Sequence, residues 1–216
     1  EVVAMLTGLL TDGDLDQVVS LLTGLMESGS TADAAALLKG LAETLPATEL
    51  TRLVDSLVGD LLGAGEVSQV VTLLDELLSV GLVGPATSVV EDLLEAGKIR
   101  KAADTLAGSL LDGNVDQVVA VVANLLDSGA VQQATSLLND IVAELLGTGG
   151  VTDAVALLEG LLSAGAAAPV TAVLDSLLAE GRITEVTRIL DGLRAAGLGA
   201  EVDGLVADLV RAGHTE

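Results

Sequence analysis

Residues 66–81 read Glu-Val-Ser-Gln-Val-Val-Thr-Leu-Leu-Asp-Glu-Leu-Leu-Ser-Val-Gly, and close variants of this 16-residue unit fill nearly all of the 216-residue chain. Counted from the first residue of the unit, the apolar positions are 2, 5, 6, 8, 9, 12 and 13. At about 100° per residue they fall in one arc roughly 160° wide, whereas a strand would alternate with a period of two. The unit therefore predicts one short amphipathic helix.

Each unit also carries signals for where its helix begins and ends. Cap-forming residues recur at position 3, which we expect to be the N-cap, and Pro85 and Pro169 at position 4 are then expected to be first helical residues. The position-3 residues are Asp16, Ser68, Asp116, Thr152 and Thr184. Glycine at position 16 suits the left-handed conformation that terminates a helix. These glycines are Gly13, Gly29, Gly65, Gly81, Gly97, Gly113, Gly129, Gly149, Gly165, Gly181, Gly197 and Gly213.

A helix of about 11 to 13 residues is marginally stable alone in water, and its apolar arc is too wide for one neighbour to cover. Each helix must therefore be packed between the helices before and after it. The sequence predicts an all-α fold of about 13 short helices, arranged as an α-solenoid or a closed helical shell. We predict a single continuous helical-repeat domain over residues 1–216.

A larger period of 100 residues is also present, because Asp12-Gly-Asp-Leu-Asp-Gln-Val-Val returns at 112–119 as Asp-Gly-Asn-Val-Asp-Gln-Val-Val. We interpret residues 1–100 and 101–200 as duplicated six-helix blocks, followed by a C-terminal helix at 201–211. Each block is four residues longer than six 16-residue units. The extra residues predict a break at Leu45–Pro46 between helices 32–44 and 49–62, with Thr48 as cap, and one extra turn near 143–146.

Composition restricts the classes of partner. The formal charge is −23, with 32 acidic and 9 basic residues, so nucleic acid and anionic membrane surfaces are disfavoured. Apolar runs are too short to predict a transmembrane segment. Cysteine is absent, so disulfides and thiol chemistry are excluded. Because the chain opens at position 4 of a unit, we expect a secreted or processed fragment, while the compartment is undetermined.

Two compositional features each leave two interpretations open. Phe, Trp and Tyr are absent, which indicates either the bias of a duplicated repeat or a soft aliphatic interior suited to alkyl chains. Glycine recurs at position 11, inside the helices, where each costs about 1 kcal/mol against alanine. The recurrence of glycine at this position reflects either a compositional bias that the helices tolerate or the close approach of a neighbouring helix or subunit. The position-11 glycines are Gly8, Gly24, Gly40, Gly108, Gly160 and Gly192.

Few side chains suggest a chemical site. Alternating oxygen ligands suit a hard cation, which makes two short runs weak calcium candidates. A helix-terminating glycine followed by an N-cap Asp explains them better, because Gln17 and Gln117 stand where a calcium loop needs glycine. The candidates are Asp12, Asp14, Asp16, Asp112, Asn114 and Asp116. The single histidine, His214, can form neither a relay nor a zinc cluster without cysteine. Adjacent acids such as Glu91–Asp92 are expected on a solvated face.

Lys98, Arg100 and Lys101 form the one basic cluster of the sequence. They either balance nearby acids or dock the acidic face of another copy of the chain, and we retain them as a candidate assembly contact.

Residues 180–198 read Glu-Gly-Arg-Ile-Thr-Glu-Val-Thr-Arg-Ile-Leu-Asp-Gly-Leu-Arg-Ala-Ala-Gly-Leu and resemble one helix and turn of a pentatricopeptide or tetratricopeptide array. The resemblance implies an α-solenoid. Two units here span 32 residues rather than about 34 and lack the aromatic positions of those families, so RNA or peptide contacts are not transferred. The duplicated six-helix block is similar in plan to the insect-allergen-related repeat, which implies a shell of helices enclosing lipid.

These observations predict a non-enzymatic structural or interaction scaffold with an acidic outer face that binds protein, including copies of itself. The alternative is a carrier or surface-active protein that holds lipid or alkyl ligands in an aliphatic interior. We expect no cofactor, no resident metal and no catalytic residue.

Overall fold

The computed structural model describes residues 2–213, and this part of the chain forms thirteen α-helices and no strand. The helices are α1 Val2–Thr11, α2 Leu15–Glu27, α3 Thr31–Ala42, α4 Ala47–Gly63, α5 Val67–Ser79, α6 Val83–Glu95, α7 Ile99–Leu111, α8 Val115–Asp127, α9 Val131–Thr148, α10 Val151–Ser163, α11 Ala167–Ala179, α12 Ile183–Ala195 and α13 Gly199–Ala212. The prediction of an all-α array of about thirteen short helices is confirmed.

The turns are made by the glycines at position 16. All twelve have a positive φ, between 71° and 112°, as the sequence predicts. At the end of α4, the Gly65 N–H donates to the Leu62 carbonyl at 3.0 Å and the Glu66 N–H donates to Leu61 at 2.8 Å. This pair of hydrogen bonds satisfies carbonyls that the helix leaves free at its end. The chain therefore leaves α4 and enters α5 through only three residues, 64–66.

The predicted N-caps are wrong by two residues. The N-cap of α5 is Glu66, at position 1 of the unit, because its carbonyl already accepts the first bond of α5 from Val70. Ser68 and its counterparts at position 3 lie inside the first turn. Pro85 and Pro169 are consequently third rather than first helical residues. They are tolerated there because the first N–H groups of a helix have no intrahelical partner.

The four-residue excess is placed as follows. Helix α3 ends at Ala42, and α4 begins at Ala47 with Pro46 as its N-cap, so Thr48 lies within α4 instead of capping it. Proline at this position has φ −58° and ψ 144°, so its carbonyl can start the helix although it offers no N–H. The extra turn near 143–146 is confirmed, because α9 runs for 18 residues.

Contacts between Cα atoms divide the chain into two compact units, Glu1–Thr105 and Leu106–Glu216. Within each unit a helix packs against the next helix and the next but one, so odd-numbered and even-numbered helices form two layers. This holds for α1–α6 in the first unit and α8–α13 in the second. The single continuous domain that the sequence suggests stays a prediction.

The two blocks bury equivalent residues 100 positions apart. Leu57 and Leu157 are both fully buried, and Leu61 and Leu161 are at most 1% exposed. Residues 31–63 and 131–163 are equally long, yet the break between their two helices falls at 43–46 in the first and at 149–150 in the second. The apolar register is therefore preserved although one turn of helix has moved from α4 to α9.

Candidate functional site

An apolar groove lies along α8, α10 and the start of α11 in the second unit. It consists of two adjoining depressions of about 420 and 340 Å³ that share Ala123 and Ala164. Its floor consists of Val119, Ala120, Ala123, Ala156, Gly160 and Ala164. We call this surface the α8–α10 groove. A concave, mostly apolar surface of a few hundred Å³ is typical of a binding site.

Small residues at helical spacing create the concavity. Ala156 and Gly160 on α10 and Ala164, its C-cap, are four residues apart, so they follow one face of that helix. A Cβ on Gly160 would come within 2.6 Å of a methyl carbon of Val119 on α8. The isopropyl group of Val119 therefore occupies the space that a side chain at 160 would need. This packing brings α8 and α10 together and leaves the alanines as a shallow floor.

The other position-11 glycines divide into two groups. A Cβ on Gly40 would lie 2.7 Å from Val3, and a Cβ on Gly192 would lie 2.7 Å from Val155. Each valine stands at position 6 of the helix two before the glycine. Close helix approach is therefore the correct interpretation for three of the six glycines. The remaining three, Gly8, Gly24 and Gly108, have no atom within 4 Å of the added Cβ.

The rim of the groove is acidic. Asp116 and Asp127 on α8 and Glu159 on α10 contribute carboxylates to its lining, and the two depressions contain no lysine or arginine. Val131 contributes an apolar side chain that is 48% exposed, and Pro169 lies at the start of α11. An apolar floor with an anionic rim favours a ligand that is both apolar and cationic.

The equivalent surface of the first unit is polar. Ser20, Thr23 and Ser56 stand 100 residues before Ala120, Ala123 and Ala156, and Asp60 stands before Gly160. The hydroxyl and carboxyl groups of the first block are thus replaced by methyl groups or hydrogen in the second. We did not identify the groove from the sequence, although this comparison of the two blocks contains the signal.

A carboxylate pair occupies the α4–α6 contact. Burial, together with the charges of Asp55 on α4 and of Glu95 and Glu91 on α6, raises the pKa of Asp92 on α6 from 3.8 to about 6, and burial is the largest of these causes. Ser88, one turn before Asp92, donates a hydrogen bond to Asp55, while the buried Oδ2 of Asp92 has no hydrogen-bond partner. Asp92 is therefore part of a helix contact, and the expectation that it lies on a solvated face is wrong.

Four of the six calcium candidates lie at helix starts. Asp14 and Asn114 are the N-caps of α2 and α8, and Asp16 and Asp116 lie in the first turns. Asp12 and Asp112 are exposed residues just before the glycines that end α1 and α7. Among residues 2–213, no group of three or more His, Cys, Asp or Glu side chains is placed to hold a metal ion. Carboxylates in a first helical turn are explained by the positive end of the helix dipole.

The basic cluster is accessible to solvent. Lys98, Arg100 and Lys101 are all exposed at the start of α7. Ion pairs in the described part of the chain, residues 2–213, join Arg182 with Glu185, Arg194 with Asp203 and Arg211 with Asp208. His214 lies outside the described residues.

The fold and the groove define a class: an all-helical repeat protein whose described helices include none long and apolar enough to span a membrane. No protein-family model matches the chain, and neither a curated protein nor a solved structure matches it. The resemblances to pentatricopeptide, tetratricopeptide and insect-allergen-related repeats therefore stay predictions.

Proposed function

We propose that this protein is a non-enzymatic scaffold that binds other proteins through the outer faces of its helical layers. The observation that carries this proposal is the α8–α10 groove, which exposes apolar surface on an otherwise strongly acidic chain. Contiguous exposed apolar surface with a polar rim is typical of interaction sites. Stacked helical repeats suit this role because proteins of this kind use extended surfaces for binding.

Self-assembly is the second part of the proposal. The net charge of −23 gives most of the surface one sign, whereas Lys98, Arg100 and Lys101 are exposed together. Attraction between this cluster and the acidic surface of a second copy would lead to end-to-end or lateral assembly. Contacts of this kind weaken with salt, because exposed charges are screened within about 8 Å at physiological ionic strength.

The carrier alternative predicts an enclosed space in the aliphatic interior. The depressions of the second unit are open surface grooves, and their lining consists of helix-surface residues rather than the buried leucines. These open grooves support a protein-binding surface more than a lipid chamber. Lipid carriage is the alternative function that the experiment below tests.

Native mass spectrometry of the protein as isolated, before and after organic extraction, tests the proposal. We expect complexes that contain protein only and that are unchanged by extraction. The triple variant K98E/R100E/K101E should lose the self-assembled species while heterologous complexes remain. A fatty-acid adduct that disappears on extraction, or an unliganded monomer alone, would contradict the scaffold function.

A further inference from the structure

The dimensions of the α8–α10 groove fit one helix. The groove follows α8 and α10, which are 13 residues each and hence about 20 Å long. The small floor residues would let a partner helix approach closely, and its larger side chains could fill the two depressions. Peptide helices that lie in grooves of this kind present apolar residues at i, i+3, i+4 and i+7.

The charges along the groove indicate the sign of the charge on the partner. Asp116, Asp127 and Glu159 line it without a cation, so any acidic helix would meet carboxylates on both sides. A lysine- or arginine-flanked helix would instead place its cations beside them. Rim charges of this kind set the association rate and exclude wrongly charged partners.

A second copy of the chain does not supply such a helix among residues 2–213. Exposed large apolar side chains occur singly on α2, α7, α9, α12 and α13, and two occur together only on α1, as Val2 and Met5. Helix α1 contains no charged residue, so it offers nothing to the acidic rim. The charges therefore favour a different protein.

We infer that the α8–α10 groove binds one amphipathic helix of a partner protein, with its aliphatic face on the alanine floor and its lysine or arginine residues beside the acidic rim. The inference rests on the proposed scaffold function and gives the chemistry of the partner. The equivalent surface between α2 and α4 does not bind such a helix, because the hydroxyl groups of Ser20 and Ser56 would lose water without gaining partners.

Isothermal titration calorimetry with a defined peptide tests the inference. The probe is a helix of about 14 residues built from leucine and lysine, compared with a scrambled peptide of the same composition, at about 150 mM salt. The groove variant is A123E/A156E, and its matched control is T23E/S56E, which adds the same two charges at the equivalent positions of the first block. Circular dichroism checks that both remain folded.

We expect the wild type and T23E/S56E to bind the amphipathic peptide, and A123E/A156E to bind it about tenfold or more weakly. Nonspecific attraction between the cationic peptide and an acidic protein would instead strengthen equally in both variants. Absence of wild-type binding, equal binding of the scrambled peptide, or equal affinities of the two variants would each overturn the inference.

Two further measurements separate the remaining outcomes. If A123E/A156E fails to fold, A120S/A123T/A156S introduces residues that the first block already carries, and it should also weaken the peptide. Sedimentation of the protein without peptide tests whether a second copy of the chain occupies the groove. Self-association that the groove variant abolishes would overturn the inference. If native mass spectrometry shows protein complexes while the groove variant binds the peptide as tightly as the wild type does, the inference about the groove is refuted and the scaffold function stands.

Discussion

Between α2 and α4 the first block carries Ser20, Thr23 and Ser56, whereas the same positions between α8 and α10 are Ala120, Ala123 and Ala156. The leucines beneath these two surfaces occupy the same positions in both blocks, as Leu57 and Leu157 illustrate. The two blocks therefore share the packing of their cores and differ in the chemistry of these surfaces. An apolar groove in only one of two equivalent surfaces indicates a function of that surface rather than a property of the repeat.

A second comparison concerns the contact between helices two apart in the chain. In the first block, position 6 of α4 and position 11 of α6 are Asp55 and Asp92, while in the second, α10 and α12 place Val155 against Gly192. The same backbone contact is thus made by two carboxylates in one block and by a valine on a glycine in the other. At the first contact burial and neighbouring charges raise the pKa of Asp92, whereas at the second a valine fills the space beside a glycine.

The largest expected effect tests whether the two cores are equivalent. The variants L57A and L157A each remove a fully buried leucine, and each should lower the free energy of unfolding by about 2 to 5 kcal/mol. Urea denaturation of each variant measures the loss. A cost in one block that exceeded the other by several kcal/mol would contradict the equivalence of their packing.

A smaller effect tests the close approach at Gly160. The variant G160A should lose about 1 to 3 kcal/mol, because its new methyl group would collide with Val119, and this outweighs alanine's better helix propensity. The matched variant D60A in the first block should stay within about 0.5 kcal/mol, since Asp60 is exposed. The double variant V119A/G160A should recover stability relative to G160A. Equal stabilities of G160A and D60A in thermal denaturation would argue against a tight α8–α10 contact.

The smallest effect concerns pH and is confined to the first block. The folded protein holds the proton of Asp92 more tightly than the unfolded chain does, with a pKa of about 6 against 3.8. Its contribution to stability is therefore present below about pH 4 and is lost as the pH rises through about 6. With solvent screening of a partly exposed group, we expect about 1 kcal/mol.

The variant D92N should gain that stability at pH 7.5. The difference in its free energy of unfolding between pH 4 and pH 7.5 should therefore be smaller than in the wild type, as measured by urea denaturation at both pH values. The variant D55V/D92G introduces the valine–glycine contact of the second block into the first, and it should also reduce the pH dependence of stability. D60N serves as the control, since it removes an exposed carboxylate of α4 and retains Asp92 with all the groups that raise its pKa. An unchanged pH dependence in D92N would show that other carboxylates cause it.

Local features of the fold were predictable from the sequence because they depend on residues next to each other. The arc of apolar positions gave the helices, and glycine at position 16 gave every left-handed turn from Gly13 to Gly213. The N-cap was misplaced because Glu66 and its counterparts serve two helices, ending one with their N–H and starting the next with their carbonyl. That double role depends on how tightly the turn closes, which a propensity for capping residues does not reveal.

The groove and the Asp55–Asp92 contact were not predictable in the same way. Both join positions 6 and 11 of helices that are two apart in the chain, so the residues that meet are separated by more than thirty positions. The periodicity of a unit determines which face of a helix is buried, because burial follows from the local pattern of apolar residues. Only the tertiary structure decides which side chains meet at the edge of that face, since the sliding and spacing of neighbouring helices depend on the packing of all their side chains together.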